Sequence, residues 1–239
     1  MARPIPQFPN SPIPKKLKMA NTTTEASSFK MLQSMVGIGL FCALMIVLTF
    51  QGTLPRIEKL KAEALEKAIF KVIPGMVTKK TFQIGENNTL TEVSTVPKGA
   101  RVVYAGYDEN GKLKGVAVEA SGMGFADVLR ILYGYDPEQQ AVVGFYVLES
   151  KETPGLGDKI EKDANFLANF EALDVALAED LTTVKNTVTT VKSGQKKNAW
   201  EVDGITGATI SSRAIGNILG TSTQEMVPMI FKNKEVFEK

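Results

Sequence analysis

From Met31 to Leu54 the chain carries no charged residue, reading MLQSMVGIGLFCALMIVLTFQGTL. A stretch of this length can cross a hydrocarbon core about 30 Å thick. It predicts a single uncleaved membrane span over residues 29–54. A cleaved signal peptide fits less well, because the run is long for such a segment and no small-x-small site follows it. After Pro55 the pattern changes. In RIEKLKAEALEKAIFKV, the residues Ile57, Leu60, Ala64, Leu65, Ala68, Ile69 and Val72 share one helical face, so an amphipathic helix is expected, stopped by Pro74-Gly75. Further on, polar and apolar positions alternate. Arg101–Tyr107 and Leu113–Val118 flank the turn Asp108-Glu-Asn-Gly111 and predict a hairpin, and Ala141–Leu148 predicts a third strand. Leu181–Val184, Thr187–Lys192 and Ala199–Val202 read as short strands. Asp163–Phe170 reads as a helix with Asp163 as its N-cap. Ser121-Gly-Met-Gly124 reads as a turn before an apolar, helix-like run. A last helix begins at Ser211–Ser212 and contains Pro228. The expected fold class is α+β, with one N-terminal transmembrane helix followed by an extracytoplasmic domain. The expected divisions are a disordered tail over 1–28, the span over 29–54 and the domain over 55–239.

Charge sets the orientation. Before the span stand Arg3, Lys15, Lys16, Lys18 and Lys30 against Glu25 alone, whereas the other side mixes Lys with Glu58, Glu63 and Glu66. The positive-inside rule puts the N-terminus in the cytoplasm and the bulk of the chain outside. The expected location is therefore the cytoplasmic (inner) membrane, single-pass. The net charge of +2, without a dense basic patch beyond the N-terminal stretch, gives no sign of nucleic-acid binding. One cysteine, Cys42, rules out an intrachain disulfide and a four-cysteine iron–sulfur site. The chain has no histidine. That excludes a Ser-His-Asp triad, a Cys-His pair, histidine-bearing zinc sites and histidine-ligated haem within it. No catalytic residue and no metal site are expected, and redox chemistry would need a borrowed cofactor.

Two segments remain that could hold one. In Asp203-Gly-Ile-Thr-Gly-Ala-Thr209-Ile-Ser-Ser-Arg213, a hydroxyl follows Gly207 and Ala208 directly, just before a helix start. A bulky group could reach Thr209, and the N–H groups and dipole of the helix would favour a phosphate there. Taken alone, the segment is also an ordinary small-residue turn. Glu152-Thr-Pro-Gly-Leu-Gly157 is locally a Pro-Gly turn between a strand and a helix. As a ligand wall it offers the hydroxyl of Thr153, the apolar side chain of Leu156 and close backbone approach at Gly155 and Gly157.

The first segment resembles the flavin-attachment motif D-x-x-[ST]-G-A-[ST] of the FMN-binding domain family, whose last hydroxyl residue forms a phosphoester with FMN. Together, ETPGLG and TGATISS resemble two membrane subunits of that family. One is the G subunit of the Rnf ion-translocating electron-transport complex, and the other is the C subunit of the sodium-translocating NADH:quinone reductase. The resemblance spans roughly residues 31–239, and ETPGLGDKI looks more like the Rnf subunit. It implies FMN attached covalently through its phosphate to Thr209, with Thr206, Gly207, Ala208, Ser211 and Ser212 around the attachment point. It adds Glu152, Thr153, Gly155 and Leu156 to the cofactor site. It further implies a separate magnesium-dependent flavin transferase, with Asp203 and Thr206 as recognition or turn-forming residues, and other subunits of an Rnf-type complex as partners. The implied function is electron relay within ferredoxin–NAD electron transfer coupled to Na⁺ or H⁺ movement. The alternatives are the quinone-reductase subunit, or a membrane-tethered binding module without flavin in which both segments are only turns. Two places depart from the pattern. Ser150 stands where many members have His, and the stretch SGMGFADVLRILYGYD, Ser121–Asp136, departs from the family's Gly-Tyr-Gly-Gly pattern, in a region that the resemblance would place near the flavin face.

Overall fold

A computed structural model describes residues 28–97 and 99–238. Most of the expected N-terminal tail, with its basic cluster, lies outside the described residues. Helix α1 runs Ser28–Val72 and includes Pro55. The chain divides into two compact units after Pro55. In the first unit every described residue is exposed, including Phe29, Leu40, Phe41 and Ile46. An apolar helical surface of this kind suits a lipid solvent and not water.

The second unit is built on a seven-stranded antiparallel sheet. Its strands are β1 (Thr78–Ile84), β2 (Leu90–Glu92), β3 (Val102–Tyr107), β4 (Leu113–Met123), β5 (Val128–Asp136), β6 (Ala141–Glu149) and β7 (Leu173–Asp174). They lie in the order β2-β1-β3-β4-β5-β6-β7. Between β6 and β7 sits α2 (Ala164–Ala168), capped as expected by the Asp163 side chain, which accepts from the Phe166 N–H. Strands β8 (Thr189–Val191) and β9 (Glu201–Asp203) form a separate parallel pair. The chain finishes with α3 (Thr209–Lys232) and the short α4 (Lys234–Phe237).

Both faces of the sheet are covered. On one, Val103, Val116, Val118, Leu129, Ile131, Tyr133 and Tyr135 pack with Ile215, Leu219, Val227 and Ile230 of α3 and with Phe166 and Phe170. On the other, Ala68, Ile69, Val72 and Ile73 cover Tyr104, Ala117 and Leu132. The end of α1 sits so close that a Cβ on Gly134 or Gly144 would meet the Val72 carbonyl oxygen at 2.0 or 2.3 Å.

This two-sided burial explains the main departure from the sequence reading. The run after Gly124, expected as a helix, is strand β5. A strand buried on both faces loses its polar alternation and reads as a continuous apolar run. The predicted strand at Leu181–Val184 is instead a turn, closed by an isolated antiparallel bridge between Leu177 and Val184 outside the sheet. Asp180 accepts from the N–H and hydroxyl of Thr182 and curls the chain, and Leu181 takes φ +55°. Strand β1 was not expected, because TKKTFQI buries only Phe82 fully. Helix α3 begins at Thr209, two residues earlier than read, and continues through Pro228 to Lys232.

Candidate functional site

Three segments far apart in sequence meet at the start of α3. They are the turn after β4, the turn after β6, and the entry into the helix itself. Between them lies a cleft of about 310 Å³ lined by Phe125, Glu152, Thr153, Leu156, Gly157, Gly207, Ala208, Thr209, Ile210 and Ser211. That size is at the lower end for small-molecule sites, as expected for a ligand only partly enclosed.

Thr209 is the first residue of the 24-residue α3, and no side chain caps the helix at Ala208. The first-turn N–H groups therefore lack the partner a cap would supply, and the positive end of the helix dipole faces the cleft mouth. The Thr209 side chain is exposed, and no hydrogen bond holds its hydroxyl among the described residues. Gly207 turns the chain into this position at φ +84°. The Lys159 ammonium stands 3.9 Å from where a Cβ on Gly207 would lie, and it makes no ion pair among the described residues. Its neighbour Asp158 is already engaged. It accepts from the Gly155 N–H at 2.7 Å and pairs with Lys162 at 2.6 Å. The Lys162 hydrogen bond is the main reason its carboxyl lies below the usual carboxylate range. This corner thus presents an uncommitted hydroxyl, a helix N-terminus and a spare cation, a combination suited to a phosphate ester.

The nearby serines are committed. Ser211 donates to Glu152 Oε2 at 2.6 Å, with both residues buried. Ser212 donates to the Ala208 carbonyl and accepts from the Ile205 N–H. Glu152 Oε1 accepts from the backbone N–H groups of Phe125 at 2.7 Å and Ala126 at 3.1 Å. One buried carboxylate therefore ties together all three walls of the cleft. It is packed so closely that a Cβ on Gly124 or Gly157 would approach its oxygens to 2.5 or 2.3 Å.

The expected site residues sort by this geometry. Glu152, Thr153, Leu156, Gly207, Ala208, Thr209 and Ser211 line the cleft. Ser212 lies beneath it. Gly155 forms the turn at φ +78° without lining the cleft. Thr206 and Asp203 line a different cavity of about 540 Å³. The Asp203 carboxylate accepts from the N–H groups of Gly194 and Gln195, a turn-forming role. Phe125 and Ile210, and Lys159, which lines that second cavity and approaches Gly207 from it, were not legible as site residues. Phe125 was hidden because the run after it read as a helix. The apolar rim of Phe125, Leu156 and Ile210, which are 62%, 54% and 55% exposed, is the surface a flat aromatic ring would cover.

Comparison with known proteins supports this description. A family model described as FMN-binding domain matches residues 124–222. The chain is 30% identical over 192 residues to the G subunit of the ion-translocating oxidoreductase complex of Methanosarcina acetivorans, covering 80% of this chain and 89% of that protein. It is 29% identical over 187 residues to the protein of the same name from Haemophilus influenzae, covering 75% of this chain and 81% of the relative. Two crystal structures share the fold. NqrC of Shewanella oneidensis superposes with a TM-score of 0.54 at 16% identity, covering 71% of this chain and 88% of its own. The C subunit of the Na⁺-translocating NADH-quinone reductase of Parabacteroides distasonis gives 0.58 at 22% identity, covering 73% and 96%.

Proposed function

The chain belongs to the family of G subunits of ion-translocating oxidoreductase complexes, and we propose that it relays electrons through an FMN esterified to Thr209. It is an electron-transfer flavoprotein subunit with an FMN-binding domain and one long apolar helix at its N-terminal end. The observation that carries the finer reading is the uncommitted, exposed Thr209 hydroxyl on the uncapped start of α3, facing an apolar-rimmed cleft. Bound flavin passes one or two electrons, and so can join carriers of different stoichiometry. The protein's own residues supply attachment, orientation and an apolar contact. In this reading Thr209 and the first turn of α3 hold the phosphate, while Thr153 and Leu156 meet the ring. The partners are the other subunits of an Rnf-type complex and the enzyme that loads the flavin, and the complex couples ferredoxin–NAD electron transfer to Na⁺ or H⁺ movement. A yellow band, fluorescent under ultraviolet light on a denaturing gel, is the expected result. A colourless band from cells that flavinylate other proteins would leave a membrane-tethered module without covalent flavin.

The domain is proposed to face the exterior, on the charge asymmetry around the span. A reporter fused after Lys239 that works only outside the cytoplasm should be active, and one that works only inside should be silent. The reverse pair of results would invert the topology.

Leu156 is 54% exposed, so its truncation removes little packing. Leu156→Ala should leave covalent attachment intact but raise the flavin's reduction potential, because water admitted to that face favours the more highly charged reduced ring. Loss of attachment, with an unchanged spectrum in any remaining flavin, would instead assign the turn to recognition by the loading enzyme.

A further inference from the structure

Strand β4 runs on past its neighbour. Its pairing with β3 ends at the Val103–Val118 pair, whereas its pairing with β5 continues to Met123–Val128. The cause is local. A turn closed by the Ala100 N–H on the Pro97 carbonyl, with Gly99 at φ +79°, leads the chain into β3 only at Val102. Among the described residues, nothing pairs with the β3 side of Ala120–Met123. Successive residues of an antiparallel strand turn their N–H and C=O groups to opposite sides, so part of this backbone faces an empty lane. The lane is a groove of about 480 Å³, with Ser121, Gly122 and Met123 on one wall and Asn217, Ile218 and Thr221 of α3 on the other. Open sheet edges are ordinarily kept short or guarded by charge, proline or a bulge. The outer strands follow that rule, since β2 has three residues and β7 two. The Ala-Ser-Gly-Met edge of β4 carries no charge and no proline.

Resting on the reading that the chain works as a subunit of a larger complex, we propose that this lane receives an extended segment of another subunit, which adds to β4 as the continuation of β3. Backbone hydrogen bonds supply the pairing. The side chain opposite Gly122 shares its face of the sheet and packs beside Ile218. The segment is uncharged where it enters. The charged residues lining the groove are already paired, Arg101 with Glu225 at 2.7 Å and Glu119 with Arg130 at 2.9 Å, so none is left to balance a new charge. Four residues at about 3.4 Å each make a lane about 14 Å long, and Arg101 closes one end. That suits one extended segment and not the hairpin of a second copy, whose own turn would run into Arg101. The other end opens beside the cleft, because Met123 leads into the turn that carries Phe125 and Ala214 follows Ile210 by one helical turn. A partner seated in the lane therefore stands next to the cleft.

The test compares the complex purified in detergent from the protein's native membrane with the full-length chain purified alone. Hydrogen exchange is followed at the backbone amides of Ala120–Met123. Those facing the lane should exchange fast in the isolated chain and several-fold more slowly in the complex. Equal exchange in the two would overturn the strand pairing. A benzophenone amino acid placed at Ser121 or Met123 should crosslink, in the complex, to one other subunit. A crosslink only to a second copy of this chain, or to nothing, would overturn the occupant. Asn217→Trp and Thr221→Trp put bulk into the lane from exposed positions of α3. Each should keep its thermal melt and its flavin content, while the yield of other subunits on pull-down falls several-fold. Glu109→Trp, at the exposed far turn of the β3–β4 hairpin, should leave that yield unchanged. Full recovery of the other subunits with both lane substitutions combined would overturn the proposal. Failure of the parent reading looks different, since the unaltered chain would then leave the membrane with no other subunit bound, and the proposal would fall with it.

Discussion

Thr209→Ala should yield a protein that is folded, inserted and devoid of flavin that survives denaturation. The substitution disturbs little else. Thr209 is exposed at the first position of α3 and its hydroxyl holds nothing among the described residues. Alanine is the better helix former, so stability should change by no more than about 0.5 kcal/mol. Loss of colour could then not be blamed on misfolding. Nor can a neighbour substitute for the lost hydroxyl. Ser211 is buried and donates to Glu152, and Ser212 is buried between the Ala208 carbonyl and the Ile205 N–H. Freeing either would break the joint that forms the cleft. Thr209→Ser keeps a hydroxyl at the same place and should keep the flavin. The check is in-gel flavin fluorescence normalised to protein, alongside a thermal melt of each variant. Covalent flavin retained in Thr209→Ala would move the attachment point, and Thr153, the other exposed hydroxyl lining the cleft, would be the first place to look.

Why the entry to α3 was legible in sequence while its surroundings were not follows from where each interaction acts. The entry to α3 is local. A small-small-hydroxyl string before a helix states its own geometry, and it fell within two residues of the helix start. The hairpin of β3 and β4, strand β6 and the Asp163 cap were legible for the same reason, since each is written in adjacent residues. Strand β5 was not, because its continuous apolar run reflects burial by α3 on one side and by α1 on the other, elements distant in the chain. That misreading hid Phe125, which becomes a site residue only once β4 and β5 are a hairpin whose turn reaches the cleft. The role of Glu152 was equally non-local. The ETPGLG turn suggested a ligand wall, but its carboxylate spends its bonds on Ser211, Phe125 and Ala126, residues that no spacing rule connects to it. Lys159 carries no signal of its own in the sequence. It gains meaning only from its approach to Gly207 and from the capture of its neighbour Asp158 by Lys162.

Expressed without a flavin transferase, the protein should fold and remain colourless, and adding FMN or FAD to the purified chain should not change that. Joining free FMN to Thr209 would expel water from a phosphate monoester and an alcohol, a condensation with no driving force in aqueous solution. An activated donor removes that difficulty. If the Thr209 oxygen attacks the flavin-side phosphorus of FAD, the new ester bond forms as the phosphoanhydride breaks, AMP leaves with the bonding electrons and the threonine proton passes to a base. This chain does not supply that base in the usual form. It has no histidine. The carboxylate nearest the cleft, Glu152, is buried and already accepts three hydrogen bonds, the hydroxyl among them coming from Ser211 and not from Thr209. Lys159 can neutralise a phosphate, but a protonated lysine takes no proton. What the chain offers is an acceptor of defined shape, an exposed hydroxyl on an uncapped helix end. On the proposed reading, activation, metal and leaving-group chemistry come from a separate transferase. The measurement is flavin fluorescence in the denatured band after expression in a host lacking the transferase, after mixing the purified protein with each flavin, and after adding transferase, FAD and Mg²⁺. Only the last should turn the band yellow. A band that turns yellow with flavin alone would mean that the chain activates its own threonine, and the residues at the cleft would need a catalytic role that their hydrogen bonds do not leave open.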